Sequence, residues 1–120
     1  MPAADKPFEI TNRGEVEVVR LTAAKMAFSG LEALQRDLDQ RIDQGSRKML
    51  INLAPVSFVD SFGIGVIAAT ARKMAQAGGL VRLCGVGERV RMSLTITRLD
   101  RTLDIAADEA EGLRRFRGDA

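Results

Sequence analysis

The stretch INLAPVSFVDSFGIGVI, residues 51–67, decides the fold of this chain. It begins as an apolar run typical of a buried strand, passes through a turn that contains Pro55, and continues as Asp-Ser-x-Gly-x-Gly at the start of a long helix of small residues. The first turn of a helix presents backbone N–H groups without internal partners, so a group placed there can hold an anion such as phosphate. Ser61, the hydroxyl at this helix start, is therefore a candidate functional residue.

The same residues also have purely structural interpretations. Ser61 could be the N-cap of the helix, a role that contributes about 1 kcal/mol, and on the pattern alone this interpretation has the same weight as the functional one. Asp60 is expected to act locally, as a turn former or a second capping acceptor. Gly63 and Gly65 each cost roughly 1 kcal/mol against Ala in a helix. Either close packing of helix on sheet or the approach of a partner to the backbone would favour them.

Length and composition limit the domain organisation and exclude one class of partner. The 120 residues, 46% of them hydrophobic, suffice for one core, so we expect a single domain over residues 1–120 with a flexible N-terminal segment at residues 1–7. The 18 Lys and Arg are scattered among 16 Asp and Glu, aromatic residues make up 4%, and Trp and Tyr are absent. A basic groove with stacking aromatics is thus missing, and no direct nucleic-acid partner is expected.

The sequence has no His and a single Cys, which excludes most kinds of catalytic and metal-binding site. Without His there is no Ser-His-Asp triad, no Cys-His pair and no usual zinc site, so we expect no catalytic residue, no metal and no cofactor. Cys84 lies in an apolar stretch at residues 80–84 and is expected to be a buried structural thiol, as in a reducing cytoplasm. No signal peptide and no run of about 20 apolar residues is present, so a soluble cytoplasmic protein without a membrane span is expected.

Periodicity predicts an α/β fold with a small mixed sheet. Strands at residues 8–10 and 16–21 flank an Asn- and Gly-containing turn, which predicts an antiparallel opening pair. The capping-box spacing of Ser29 to Glu32 begins an amphipathic helix that ends at Gln44-Gly45. The further predicted elements are a strand at 48–53, a helix at 61–77, a strand at 80–84, a short helix at 88–95, an edge strand near 103–105 and a closing helix at 106–116.

The order strand, helix, strand implies a parallel crossover, and the helices are expected mainly on one side of the sheet. The side chains predicted to be buried recur at helical spacing on two of the helices. They are Leu31, Leu34, Leu38, Ile64, Ile67 and Met74.

Four segments of the chain together resemble the STAS family, which is named for sulphate transporters and anti-sigma factor antagonists. They lie at residues 50–53, 56–66, 77–86 and 97–100. The resemblance runs in element order from about residue 16 to residue 116. Its most specific part is Asp60-Ser61-x-Gly63-x-Gly65, followed by Gly78-Gly79 and an apolar strand.

The resemblance implies a single STAS-like domain, with four or five strands and about four helices, that acts as a binding switch. In free-standing bacterial STAS proteins of this kind, the Ser after the Asp, here Ser61, is phosphorylated by an anti-sigma factor that is also an ATP-dependent serine kinase. The unphosphorylated form binds the anti-sigma factor and frees the sigma factor, and a serine phosphatase reverses the phosphorylation. Transcription is thereby regulated by partner switching. The partner-binding residues implied are Asp60, Ser61, Phe62, Gly63, Ile64 and Gly65.

Two other functions remain open from the sequence. Phe62 stands where the resembling antagonists usually carry a second small hydroxyl residue, and scaffold-type STAS proteins can carry Phe here. A STAS scaffold or transporter accessory subunit would bind a partner through the same surface without phosphorylation. Gly63-x-Gly65-x-x-Ala68 also matches a dinucleotide-binding fingerprint. Its context differs, because the loop at residues 53–61 is long for that turn and no acidic residue lies near position 83 to hold a ribose.

Overall fold

The computed structural model of the chain describes residues 7–27 and 30–118. The predicted flexible segment therefore lies outside the described residues except for Pro7, and so does Ser29, the predicted start of the first capping box. The strands are β1 (Phe8–Arg13), β2 (Val16–Leu21), β3 (Lys25–Met26), β4 (Lys48–Asn52), β5 (Phe58–Val59), β6 (Leu80–Cys84) and β7 (Asp104–Ala106). The helices are α1 (Leu31–Asp43), α2 (Ser61–Gln76), α3 (Glu88–Ile96) and α4 (Glu109–Phe116), with a short 3-10 helix at Leu99–Arg101.

Five strands form the mixed sheet that the sequence predicts. Their order is β1-β2-β4-β6-β7. The opening pair is antiparallel, with Phe8 opposite Leu21 and Arg13 opposite Val16, and the remaining neighbours are parallel. The parallel crossovers bring the carboxyl ends of β2, β4 and β6 to one edge of the sheet, where α2 begins.

A second, two-stranded sheet was not predicted. In it, β3 pairs in parallel with β5, so that Lys25 is opposite Phe58 and Met26 is opposite Val59. Further hydrogen bonds extend the contact, because the backbone N–H groups of Ser57 and Phe58 both donate to the carbonyl of Ala24. Neither segment was among the predicted strands, since strands of two residues are too short to show an alternating pattern.

The two faces of the large sheet are covered unequally. Alternate residues of each strand point to opposite faces, so Val19, Ile51 and Leu83 join the core beneath α1, α2 and α3. Val18, Leu50 and Cys84 face the other way, toward α4. Three helices on one face and one on the other confirm that the helices lie mainly on one side.

Of the six side chains predicted to be buried, five are at most 4% exposed, and Ile64 is the exception. Ile64 is only partly buried and packs at the edge of the core. It lies near the start of α2, four residues after the N-cap Asp60. The prediction of full burial for Ile64 was therefore wrong.

The closing helix begins three residues later than predicted. Residues 104–106 pair with β6 as β7, and Asp108 then caps α4 by accepting a hydrogen bond from the backbone N–H of Glu111 at 2.9 Å. Gly112 lies within α4 because the helix approaches the sheet closely there. A Cβ at this position would come within 2.7 Å of Leu50 Cδ1.

Candidate functional site

Asp60, and not Ser61, is the N-cap of α2. Its backbone is extended, and its Oδ1 accepts a hydrogen bond from the backbone N–H of Gly63 at 2.9 Å. The backbone N–H of Asp60 donates in turn to the carbonyl of Met26 in β3 at 3.2 Å. Ser61 is the first helical residue and is exposed. The capping interpretation of Ser61 was wrong, whereas that of Asp60 is confirmed.

The two glycines of the first turns have different surroundings. A Cβ on Gly63 would lie 2.6 Å from both the carbonyl oxygen of Met26 and Cγ1 of Val59. Such a contact is too short for real side chains, so Gly63 is required by the packing of α2 on the small sheet. A Cβ on Gly65 would meet no atom within 4 Å. Packing thus explains Gly63 and leaves Gly65 without a structural reason.

The six residues implied as partner-binding are not equally accessible. Ser61, Phe62 and Gly65 are exposed, and the exposed fraction of Phe62 is 56%, high for a large apolar side chain. Asp60 and Ile64 are partly buried, and Gly63 is buried. The exposed surface at the helix start therefore consists of Ser61, Phe62 and Gly65.

An open groove of about 790 Å³ runs between α1 and α2 and includes this surface. On the α2 side it is lined by Ser61, Phe62, Gly65 and Val66, and on the α1 side by Leu31, Glu32, Gln35, Arg36 and Asp39. The α1 wall was not predicted from the sequence. The buried stripe of α1 was predicted, and the polar residues of the wall flank it. Helical periodicity does not show which neighbouring helix these polar residues face.

The charges on the α1 wall differ in what they contact. Asp39 accepts a hydrogen bond from Gln35 at 3.1 Å and lies 3.9 Å from the ammonium of Lys73. Arg36 is exposed and forms no ion pair or hydrogen bond within residues 7–27 and 30–118. Because α1 and α2 enclose the groove together, the guanidinium of Arg36 and the hydroxyl of Ser61 border the same space.

A polar network on the other face of the sheet supports the loop that leads to the site. Glu109 of α4 accepts hydrogen bonds from Arg20 Nη2 at 3.0 Å and from Asn52 Nδ2 at 2.8 Å, and it also pairs with Arg20 Nε at 2.5 Å. The Arg20 hydrogen bond lowers the pKa of Glu109 below its usual value, against the opposing effect of partial burial. Asn52 Oδ1 meanwhile accepts from the backbone N–H of Ala54 at 2.9 Å, which fixes the start of the loop between β4 and β5.

Cys84 is fully buried at the end of β6, as expected for a structural thiol. Burial, with a smaller contribution from Glu109, raises the pKa of this thiol to about 12. The thiolate form is therefore disfavoured at neutral pH.

No helix among the described residues is long and apolar enough to cross a bilayer. Within the same part of the chain, no group of three Cys, Asp or Glu side chains is placed to hold a metal ion.

The chain matches the family model described as STAS domain over residues 8–112. It is 35% identical over 80 residues to a protein of Thermotoga neapolitana named as a candidate anti-sigma factor antagonist, a match that covers 67% of this chain and 71% of the relative. It is 32% identical over 81 residues to the anti-sigma-B factor antagonist of Bacillus subtilis, covering 68% of this chain and 73% of the relative.

A solved structure shows the same fold. The anti-sigma factor antagonist SpoIIAA in its unphosphorylated form superposes with a TM-score of 0.82 at 23% identity, over 94% of this chain and 98% of that one. The phosphorylated form of the Bacillus SpoIIAA gives a TM-score of 0.76, also at 23% identity, over 92% of this chain and 99% of that one. Family model, relatives and fold agree, and the chain belongs to the STAS domain family.

Proposed function

We propose that this protein is an anti-sigma factor antagonist that works by partner switching through Ser61. It binds an anti-sigma factor in the unphosphorylated state, and phosphorylation of Ser61 by that partner releases it. The observation that carries the proposal is the division of roles at the start of α2. Asp60 caps the helix, so the exposed hydroxyl of Ser61 is not needed for folding and is available for modification.

Relatives support the general role. The Bacillus subtilis and Thermotoga neapolitana proteins carry names of antagonist type, and SpoIIAA has been solved in both phosphorylation states. The proposal also includes the cellular setting and the partners. The protein acts in the cytoplasm as a single domain without catalytic residues, the anti-sigma factor supplies ATP and the kinase activity, and a serine phosphatase returns Ser61 to its unmodified state.

Electrostatics account for release. A phosphate on Ser61 adds about −1.5 to −2 charges beside the carboxylate of Asp60. In an interface that accommodates a neutral hydroxyl, this charge is both repelled and poorly solvated. The N-terminus of α2 offsets part of that cost within the protein itself, so the phosphorylated chain stays folded while its interface fails.

Phe62 gives the interface an apolar contact next to the switch. Exposed aromatic side chains are frequent energetic centres of protein interfaces. Since the same surface includes Gly65, whose backbone is open to solvent, a partner can approach α2 closely on this side. We expect the partner to contact this surface in the unphosphorylated state.

Calorimetric titration with the cognate anti-sigma factor tests the switch. Ser61→Asp should weaken binding roughly ten- to hundred-fold, equivalent to about 1 to 3 kcal/mol for burying an unpaired charge, whereas Ser61→Ala should bind like wild type and become insensitive to ATP. Gln76→Glu is the control for net charge, because it adds one negative charge at the far end of α2. Equal affinities for Ser61→Asp and wild type would overturn the switch and favour a scaffold.

Phosphopeptide mapping after incubation with the partner and ATP tests the residue itself. We expect phosphate on Ser61 and not on Ser57 or Thr70. Thr70 is fully buried within α2, and the hydroxyl of Ser57 donates to the carbonyl of Ala24 at 3.2 Å. Phosphate on either of those residues would contradict the assignment.

A further inference from the structure

Arg36 is the sole cation among the described residues that line the groove beside Ser61. We propose that Arg36 binds the phosphate of phosphorylated Ser61 within the same chain, across the groove between α1 and α2. The occasion for this contact, phosphorylation of Ser61, rests on the proposed function. The contact itself is a property of the groove and can be tested without any partner.

The guanidinium of Arg36 is available for such a contact. Arg41 of α1 and Lys73 of α2 already pair with carboxylates: Arg41 with Glu17 and Asp37, Lys73 with Asp43 at 3.1 Å. Arg36 is exposed and forms no ion pair within the described residues. A new anion in the groove therefore meets a cation that need not give up another partner.

The chemistry of the two groups is complementary. Guanidinium presents a planar fork of donors that matches the oxygens of a phosphate, and such charge-assisted hydrogen bonds are stronger than neutral ones. A neutral serine hydroxyl offers Arg36 no comparable interaction. The contact would thus exist in the phosphorylated state alone.

The helices that carry the two residues are held rigidly. Leu34 and Leu38 of α1 and Ile67 and Met74 of α2 are each at most 1% exposed in the core beneath the groove. The width of the groove is therefore set by the core. We expect the long side chain of Arg36, and not the helices, to move toward the phosphate.

Glu32 lies on the same wall of the groove as Arg36 and has the opposite electrostatic effect on a bound phosphate. It lies one turn before Arg36 on α1 and also lines the groove. Its carboxylate repels a phosphate that its neighbour attracts. The two residues should consequently shift the second pKa of phosphorylated Ser61 in opposite directions.

The contact with Arg36 stabilises the phosphorylated state, in which the partner has been released. With phosphate and Arg36 paired, the mouth of the groove is occupied beside Phe62, where a partner would dock. The paired phosphate is also less accessible to a phosphatase. Arg36 then prolongs the phosphorylated state.

Titration of the phosphate by ³¹P NMR tests the proposal. The probe is the full chain with phosphoserine incorporated at position 61 by genetic code expansion, so neither kinase nor anti-sigma factor is required. Unperturbed phosphoserine has a second pKa of about 6. Arg36→Gln should raise the measured pKa by about 0.3 to 0.7, as for an exposed ion pair, and Glu32→Gln should lower it.

Arg72→Gln provides the matched control. It removes the same charge from an exposed position on α2, roughly 16 Å along the helix from Ser61 and outside the groove lining. We expect no change in the phosphate pKa for this variant, and a difference between Arg36→Gln and wild type that shrinks in 1 M salt. Equal titration curves for Arg36→Gln and Arg72→Gln would overturn the proposal. Failure of the proposed function would appear separately, as absent phosphorylation by the partner.

Discussion

The carboxylate of Asp60 accepts a hydrogen bond from the backbone N–H of Gly63. Asp60 therefore caps α2, and the next residue, Ser61, has no capping role. Asp60→Ala should lower the free energy of unfolding by about 1 kcal/mol, since the N-cap is lost. Ser61→Ala should change it by less than about 0.5 kcal/mol, because the exposed hydroxyl caps nothing. Urea unfolding followed by circular dichroism measures both. A greater loss for Ser61→Ala than for Asp60→Ala would contradict the assignment of the cap.

Gly63 and Gly65 should respond oppositely to the same substitution. Gly63→Ala places a methyl group against the Met26 carbonyl and Val59, so it should destabilise the protein by about 1 to 3 kcal/mol. Gly65→Ala meets open space in a helix and should stabilise it by up to about 1 kcal/mol. Thermal unfolding of the two variants side by side is the measurement. Similar shifts of Tm in both would mean that the packing at Gly63 is not as described.

Phe62→Ala should weaken binding of the anti-sigma factor about tenfold or more, because the side chain is an exposed aromatic contact at the switch. Leu80→Ala is the control, since Leu80 is 44% exposed and lies at the opposite end of the sheet, where β6 begins. Surface plasmon resonance with unphosphorylated proteins would give the two affinities. If both variants bound like wild type, the interface would lie elsewhere.

Glu109→Gln should change how stability depends on pH. Because Arg20 lowers the pKa of Glu109 in the folded state, the ionised carboxylate stabilises the fold above its unfolded pKa of about 4.5, and this contribution is lost as the pH falls through the folded value. At pH 7 the variant should lose roughly 1 kcal/mol, discounted for partial exposure. Between pH 6 and pH 3 its stability should fall less than that of wild type.

Urea titrations at several pH values would show this difference. Glu15→Gln is the control carboxylate, since its side chain is 85% exposed and, among the described residues, forms an ion pair only with Lys48. A pH profile of Glu109→Gln that parallels both wild type and Glu15→Gln would exclude Glu109 as a source of acid sensitivity.

Sequence patterns predicted the elements that have a clear period or a cap. The buried stripe of α1, the antiparallel opening and the start of α2 at Ser61 are all confirmed. The small sheet of β3 and β5 was missed because two-residue strands carry no period. The roles of Asp60 and Ser61 were left open because adjacent Asp and Ser are both good caps, and backbone geometry decides between them.

The candidate site was predicted along α2 alone. Its α1 wall, with Glu32 and Arg36, depends on how two helices pack, and the spacing of residues within one helix does not contain that information. Helical spacing also failed to predict the partial exposure of Ile64. Its helical spacing fits the buried stripe, but its side chain is only partly buried.

The pairing of β3 with β5 has a consequence for the order of folding. The first turn of α2 is anchored through Asp60 to Met26, and the adjoining Ser57 to Ala24, which is 33 residues earlier in the chain. This anchor forms only after a long loop has closed, at an entropic cost that grows with the logarithm of loop length. By contrast, α2 also packs on β6, to which it is connected by residues 77–79 alone. We therefore expect the end of α2 that carries Ser61 to consolidate late in folding and to exchange its amide protons faster than the rest of the helix.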